Sequence, residues 1–201
     1  YYAGREGKSN YTREYTWDNY GALFASLATL LTQSFPDATS FLDIGCAKGF
    51  LVRALRAEGK VAWGLDASDY ALSQADPATR PYLLGGSAAG SLVEVPRVDL
   101  LTACETLEHL SELEICESLP RLAKGGRIGL FATIPTPDMV HRGAWRLAER
   151  EPSHVTLKPR AWWRAQFAAA GFTYGPFLAL AERYLRQHPL VQVMGWNPFL
   201  A

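Results

Sequence analysis

Asp43-Ile44-Gly45-Cys46-Ala47-Lys48-Gly49, followed one helix length later by Gly64-Leu65-Asp66, is the stretch that decides the fold. Upstream of the first glycine, Ser40 to Ile44 reads as a short buried strand bounded by Thr39 and Gly45. Downstream, Phe50, Leu51, Ala54 and Leu55 recur at helical spacing between Phe50 and Ala57. Val61 to Leu65 is a second apolar strand that ends at Asp66, and Ser68 is placed to cap a further helix. Strand, glycine turn, helix and strand make a βαβ unit, which is right-handed almost without exception. Gly45 and Gly49 suit a turn where backbone approaches a ligand, and the helix that follows offers unpaired N–H groups. A carboxylate at Asp66 is placed to accept from both hydroxyls of a ribose, each charge-assisted bond contributing roughly 1.5–3 kcal/mol.

Two cofactor classes use this geometry. Dinucleotide enzymes need G-x-G-x-x-G around a pyrophosphate. This chain has D-x-G-x-x-x-G instead, and Asp43 would repel a pyrophosphate; an acidic loop suits a cationic ligand. Later segments fall into a matching order: Val98 to Glu105 as a fourth strand, Leu122 to Leu130 as a helix end, Gly-Gly turn and fifth strand, and Ala168 to Phe172 as the helix end before a sixth. The ordered set, from about Phe41 to Phe172, resembles the class I S-adenosylmethionine-dependent methyltransferases, whose cofactor carries a sulfonium and an amino group.

The resemblance implies an α/β, Rossmann-like doubly wound sheet, mostly parallel with an antiparallel final strand, with helices on both faces. It implies S-adenosylmethionine as cofactor, held by Asp43, Gly45, Cys46, Ala47, Gly49 and Phe50 in the glycine loop, by Asp66, Ala67 and Ser68 after the second strand, and by Cys104 and Glu105 after the fourth. One departure concerns the adenine. After the third strand, at Pro81 to Leu84, many family members place an acidic residue that receives the adenine amino group; here stand Gly85-Gly86-Ser87-Ala88, which leaves the Ser87 hydroxyl or the backbone for that contact. Cys46 and Cys104 read as small packing residues ahead of reactive thiols.

Composition agrees with one enzyme domain. With 201 residues, 48% of them hydrophobic, and no internal repeat or linker, the chain can bury one substantial core. The expected organisation is a single domain: 1–35 an N-terminal helical cap, 36–133 the cofactor-binding core, and 134–201 an acceptor-side segment with sheet closure. Lys plus Arg equals Asp plus Glu at 20 each, so no global field draws the chain to nucleic acid or an anionic membrane. No apolar run approaches a transmembrane length and no signal peptide is visible. Three cysteines, Cys46, Cys104 and Cys116, form an odd, sparse set that suits a reducing compartment, so the cytoplasm is expected. The first residue is Tyr1 rather than methionine, which is compatible with a domain of a larger polypeptide.

Chemistry is expected after the fourth strand, because ligands of open parallel sheets meet at the carboxyl ends of the strands. Glu105-Thr106-Leu107-Glu108-His109 stands there, and a helical turn would bring Glu105, Glu108 and His109 together at i+3 and i+4. His154, in Pro152-Ser153-His154-Val155-Thr156, can fold back over the same strand ends. Glu105, Glu108, His109 and His154 could supply two oxygens and two nitrogens to Mg, Mn or Zn. E-x-x-E-H with a downstream histidine is similar to metal-assisted O-methyltransferases, including those of ubiquinone synthesis and the small-RNA terminal 2′-O-methyltransferases. In the metal-free alternative, His109 or His154 is the general base. A structural role for both stays open, since the capping box Ser111-x-x-Glu114 starts the true helix just afterwards.

The acceptor should meet the segment from Ile134 to Trp163. Its part from Asp138 to Arg164 holds Arg142, Arg146, Arg150, Lys158, Arg160 and Arg164 against Asp138, Glu149 and Glu151, a formal 6 − 3 = +3 that would welcome an anionic or aromatic small molecule. A solvated helix face is the other reading of Arg142, Arg146 and Arg150. One of Trp162 and Trp163, the one beside Phe167, should pack on the sheet, and the other is free to stack on substrate. Tyr11, Tyr15 and Trp17 could form an aromatic lid or pack the helical stripe of Leu23, Phe24, Leu27, Leu30 and Leu31. Leu178 to Gln187 reads as a helix and Val191 to Trp196 as the closing antiparallel strand, with Asn197-Pro198 ending the pattern. The expected function is O-methylation of a small-molecule hydroxyl. An RNA-end 2′-O-methyltransferase and a non-catalytic S-adenosylmethionine-binding module are the alternatives; balanced charge argues against nucleic acid.

Overall fold

The computed structural model describes residues 15–89, 97–138, 148–174, 176–189 and 198–201. The chain divides into two compact units, Tyr1–Val93 and Glu94–Ala201.

In the first unit, Thr16 caps helix α1 (Trp17–Ser34) by accepting from the Asn19 N–H, and Leu27, Leu30 and Leu31 form its buried face. The expected stripe is the inward side of this helix. Strand β1 (Ser40–Ile44) is buried from Phe41 onward, and β2 (Val61–Asp66) pairs with it in parallel, Asp43 opposite Gly64. Between them α2 (Phe50–Ala57) buries Phe50, Leu51, Val52, Ala54 and Leu55, the apolar positions of the sequence pattern, and packs against α1. Ser68 caps α3 (Asp69–Ser73) by accepting from the Ala71 N–H. The third strand begins later than Pro81: Arg80–Tyr82 form a 3₁₀ turn, because proline fits the first positions of a helical turn and has no N–H for a ladder, and β3 (Leu83–Gly85) then pairs in parallel with β2. The strand order within this unit is β3-β2-β1.

In the second unit, β4 (Val98–Cys104) is buried along almost its whole length and pairs in parallel with β5 (Gly126–Thr133). The connection is α4 (Glu112–Gly125), whose complete capping box joins Ser111 and Glu114 as the sequence indicates. Helix α4 runs straight into β5 at Gly126, so the Gly-Gly pair is a junction with no loop of its own. Helix α5 (Arg160–Ala169) turns Trp163 and Phe167 inward; Trp163 is fully buried and Trp162 half-buried, which settles the tryptophan pair in the expected sense. Helix α6 (Pro176–Gln187) follows.

The closing strand expected at Val191–Trp196 lies outside the described residues. Among the described residues β6 (Pro198–Leu200) pairs antiparallel with β5, Phe131 opposite Leu200, so pairing is present at Pro198, where the sequence pattern has it end. The strand order within this unit is β4-β5-β6. The architecture is thus α/β and Rossmann-like: six described strands, mostly parallel, with an antiparallel final pair, flanked by helices.

Candidate active site

Two groups of side chains stand at the carboxyl ends of strands, one in each unit. The first is the glycine loop after β1. The Gly45 and Cys46 N–H groups both donate to the Leu65 carbonyl, at 2.7 and 3.1 Å, so the loop is sewn to the end of β2. Gly45 and Gly49 both adopt φ 73°, and a Cβ at Gly49 would lie 2.8 Å from both Leu83 methyls, so glycine is required there by conformation and by space. Gly64 is required by space alone, since a Cβ there would lie 2.6 Å from the Cys46 sulfur. Ala47 is left-handed at φ 48° despite its Cβ. Its N–H donates to Asp66 Oδ2 at 2.7 Å, which offsets part of that strain, and the Ser68 N–H donates to Asp66 Oδ1 at 2.8 Å.

Asp66 therefore joins the glycine loop to the loop after β2, with Ala67 exposed between its two partners' positions. Each carboxylate oxygen keeps a lone pair beyond these bonds, enough for a vicinal diol. Burial raises the Asp66 pKa above the ordinary aspartate range, against the two N–H donors that oppose the shift. Asp43 is buried at the end of β1. The Cys46 thiol is buried and its pKa is pushed well up by that burial and then by Asp43 and Asp66, so it packs as a neutral small residue. Ser87 accepts from the Ala89 N–H at 3.1 Å, which leaves its own O–H to donate.

The second group follows β4. Cys104 ends the strand, Glu105 takes the left-handed conformation at φ 49°, and Leu107–His109 form a 3₁₀ turn. The expected α-helical face from Glu105 is absent because α4 starts only after its cap at Ser111. Convergence is reached by a different route. The segment after β5 returns, and the Val155 and Thr156 N–H groups both donate to the Glu108 carbonyl at 3.0 Å, while Thr156 Oγ1 donates to the Leu110 carbonyl at 2.7 Å. These bonds lay His154 beside His109, their rings 4.7 Å apart and edge to face.

Glu108, His109 and His154 each offer a ligand atom within 4.8 Å of the others. The Glu108 side chain is fully buried, and among the described residues neither carboxylate oxygen has a hydrogen-bond partner. His109 Nδ1 lies 3.1 Å from the Ser153 carbonyl and His154 Nδ1 lies 2.8 Å from the Ala148 carbonyl. Carbonyls only accept, so each Nδ1 carries the proton; the neutral His154 ring then presents an Nε2 lone pair, while the His109 ring also bonds the Glu105 backbone. His154 Nε2 faces Glu108 Oε1 at 3.8 Å. Burial lowers both histidine pKa values, and the proximity of His154 lowers that of His109 further. Burial, then the neighbouring Glu105, raises that of Glu108 well above normal, and burial lifts Glu105 to about 7.

Two acceptors facing each other in a dry site call for a proton or a cation between them. The donor set, with both imidazoles fixed through Nδ1 by backbone carbonyls, fits a divalent metal. Glu105 is not part of the three-residue grouping, although its charge reaches Glu108.

The family model described as "Methyltransferase domain" matches residues 14–174. The chain belongs to this family. Among solved structures, an S-adenosylmethionine-dependent methyltransferase from Archaeoglobus fulgidus shares 17% identity at a TM-score of 0.64, covering 78% of this chain and 71% of that one. The PH0226 protein of Pyrococcus horikoshii shares 14% at 0.60, covering 79% and 84%. The mitomycin 7-O-methyltransferase MmcR shares 14% at 0.61, covering 76% of this chain and 49% of its own. Comparison with curated proteins gives no significant match. The methyltransferase is of class I and its methyl donor is S-adenosylmethionine.

Of the other sequence expectations, Arg160 and Arg164 are turned to structure rather than to an acceptor. Both guanidiniums pair with the buried Glu182, and they donate to the Pro198 and Leu200 carbonyls at 2.6 and 2.7 Å. Lys158 pairs with Glu112 at 2.6 Å. His141, Arg142, Trp145, Arg146 and Tyr11 lie outside the described residues. Among the described residues no helix is long and apolar enough to cross a membrane. Sequence reading missed Thr133, whose hydroxyl bonds Glu105 and whose place follows from the Cys104 to Thr133 register. No spacing signal marks it. The Ser153 and Ala148 carbonyls that orient the two rings are backbone groups, which leave no trace in residue identity.

Proposed function

We propose that this methyltransferase O-methylates a small-molecule hydroxyl, with Glu108, His109 and His154 as the acceptor-activating group. The observation that carries the reading is Glu108: a fully buried carboxylate with neither oxygen hydrogen-bonded among the described residues, faced by the His154 Nε2 and grouped with the His109 ring. Asp66 holds the donor ribose, the left-handed loop from Gly45 to Gly49 accommodates the rest of the donor with Asp43 beside it, and Ser87 serves the adenine; Cys104 and Glu105 are assigned to the donor by the family resemblance alone.

The sulfonium is already an activated leaving group. The new bond joins the acceptor oxygen to the methyl carbon as the S–CH₃ bond breaks, its electron pair staying on sulfur to give S-adenosylhomocysteine. The acceptor's proton passes to the Nε2 of His154, with His109 the alternative base, and the Glu108 carboxylate stabilises the imidazolium so formed. Placing the acceptor in line with the methyl supplies ~7–11 kcal/mol of barrier reduction when the geometry is near attack. A divalent metal held by Glu108, His109 and His154 would lower the hydroxyl pKa at the same place. A base or metal at the acceptor helps hydroxyls more than amines, which favours O-methylation. The zero formal net charge and the structural use of Arg160 and Arg164 favour a small molecule over RNA.

The test is turnover with labelled S-adenosylmethionine and fractionated small-molecule pools, the product being identified by mass. His154→Ala should abolish turnover while S-adenosylhomocysteine affinity stays unchanged. A methylated amine or carbon as the dominant product would sink the O-methylation reading. Full activity in chelator, with no gain from added Mn²⁺ or Zn²⁺, would leave the histidine base and remove the metal.

A further inference from the structure

Lys48 is the one charged side chain within the glycine loop between Gly45 and Gly49, a loop that must receive a cationic cofactor. Its ammonium is half-buried and donates to the backbone carbonyl of Tyr15 at 2.9 Å, lying 6.0 Å from the centre of the Tyr15 ring. Tyr15 immediately precedes the cap of α1, and its ring is buried against Phe50, centroids 4.6 Å apart at 30°. Phe50 is the first residue of α2, directly after the left-handed Gly49. Trp17 meets the same Phe50 edge to face at 5.6 Å, and its ring carries the Arg53 guanidinium at 4.1 Å. Tyr15, Ala47, Phe50 and Ala71 form one buried cluster. The loop's strained Ala47 thus has Asp66 bonded to its N–H and the Tyr15 cluster against its methyl group.

No side chain caps α2: its N-cap is Gly49. The aromatic cluster packs against the start of that helix, and the Lys48 ammonium ties the Tyr15 backbone to the glycine loop. A lysine has three donors and no acceptor, so a backbone carbonyl is a good terminus for it, and the bond turns the positive charge out of the loop.

We propose that Lys48 is a positioning residue for the methyl-donor site: by clamping the Tyr15 carbonyl it holds the segment Tyr15–Trp17 on Phe50 and so presets the glycine loop for S-adenosylmethionine. The proposal rests on the reading that this loop holds the donor. It gives the N-terminal aromatics a definite task, ordering the loop from behind through Phe50. Because the clamp acts on the loop before chemistry, its loss raises the Kd for S-adenosylhomocysteine and the KM for the donor and leaves kcat unchanged.

The experiment compares wild type, Lys48→Met, Lys48→Arg and Tyr15→Ala by calorimetry with S-adenosylhomocysteine and by hydrogen exchange of peptides covering Tyr15 to Tyr20. Lys48→Met keeps most of the apolar stem and removes the donor. It should weaken S-adenosylhomocysteine about tenfold and speed exchange in that segment, and Lys48→Arg should restore both. Tyr15→Ala should weaken binding, and adding Lys48→Met to it should weaken it little more, because clamp and ring act as one unit. Weaker binding with unchanged exchange would make Lys48 a direct ligand contact and overturn the clamp. Faster exchange with affinity within twofold of wild type would overturn its link to the donor. Asp66→Asn separates the two readings: if it too leaves affinity unchanged, the assignment of the donor site itself has failed.

Discussion

Asp66 has two partners already and is proposed to take a third. Its two oxygens accept from Ala47 and Ser68, and the ribose would use the lone pairs that remain. Only the carboxylate form can receive both hydroxyls, so donor affinity is present above the Asp66 pKa and lost as pH falls through it. Since burial raises that pKa above its ordinary value, the loss begins at a higher pH than for a solvated aspartate. Calorimetric titration of S-adenosylhomocysteine across the acidic range should show the fall in wild type and a flat, weaker profile in Asp66→Asn, by ~1.5–3 kcal/mol for the charge-assisted contact. An unchanged profile in the variant would take Asp66 out of the ribose site. Glu105 tests a different property of a single residue. Its left-handed backbone costs ~1–2 kcal/mol in a residue with a Cβ, so Glu105→Gly should raise the unfolding free energy measured in urea by up to about that amount while lowering turnover. A gain in stability with full activity would mean that the strained carboxylate has no part in the reaction.

Among the elements, α5, α6 and β6 are joined through one carboxylate. Glu182 on α6 is buried, takes Arg160 and Arg164 from α5, and accepts the Leu200 N–H of β6 at 2.9 Å. Removing it leaves two largely desolvated guanidiniums without their counter-charge, so Glu182→Ala should destabilise the protein by ~3–5 kcal/mol in urea unfolding. Glu182→Gln keeps acceptor geometry and should lose less. Equal, small losses would show that solvent reaches this cluster. The sequence displays the same six cations as a single basic surplus, and which of them are spoken for depends on a glutamate 18 and 22 residues away. Helix and strand periodicities, the caps at Ser68 and Ser111, and the inward Trp163 are all local and were legible. The start of β3 was not, because it is decided by pairing with a distant strand. The candidate cluster was legible in three of its four expected members, Glu105 falling outside it, and illegible in its mechanism of assembly: a helical face was expected, and two backbone N–H groups donating to one Glu108 carbonyl draw the segments together instead.

At the scale of the whole molecule, charge decides between acceptor classes. Lys plus Arg and Asp plus Glu balance at 20 each, and three of the basic side chains expected at the acceptor, Lys158, Arg160 and Arg164, are held by Glu112 and Glu182. An RNA acceptor needs several phosphate contacts, and each would release counterions, giving a log K against log salt slope of about −0.7 per phosphate on a single strand. The chain should therefore bind a 20-nucleotide RNA weakly, with a slope shallower than about −2, which corresponds to fewer than about three phosphates. Fluorescence anisotropy at several salt concentrations measures it directly. A slope steeper than about −4, with affinity retained at physiological salt, would require a basic track along the RNA. That result would move the proposal from a small-molecule hydroxyl to a nucleic-acid end. The proposed Glu108, His109 and His154 group would serve either acceptor, since both present a hydroxyl, so the salt slope discriminates where that group does not.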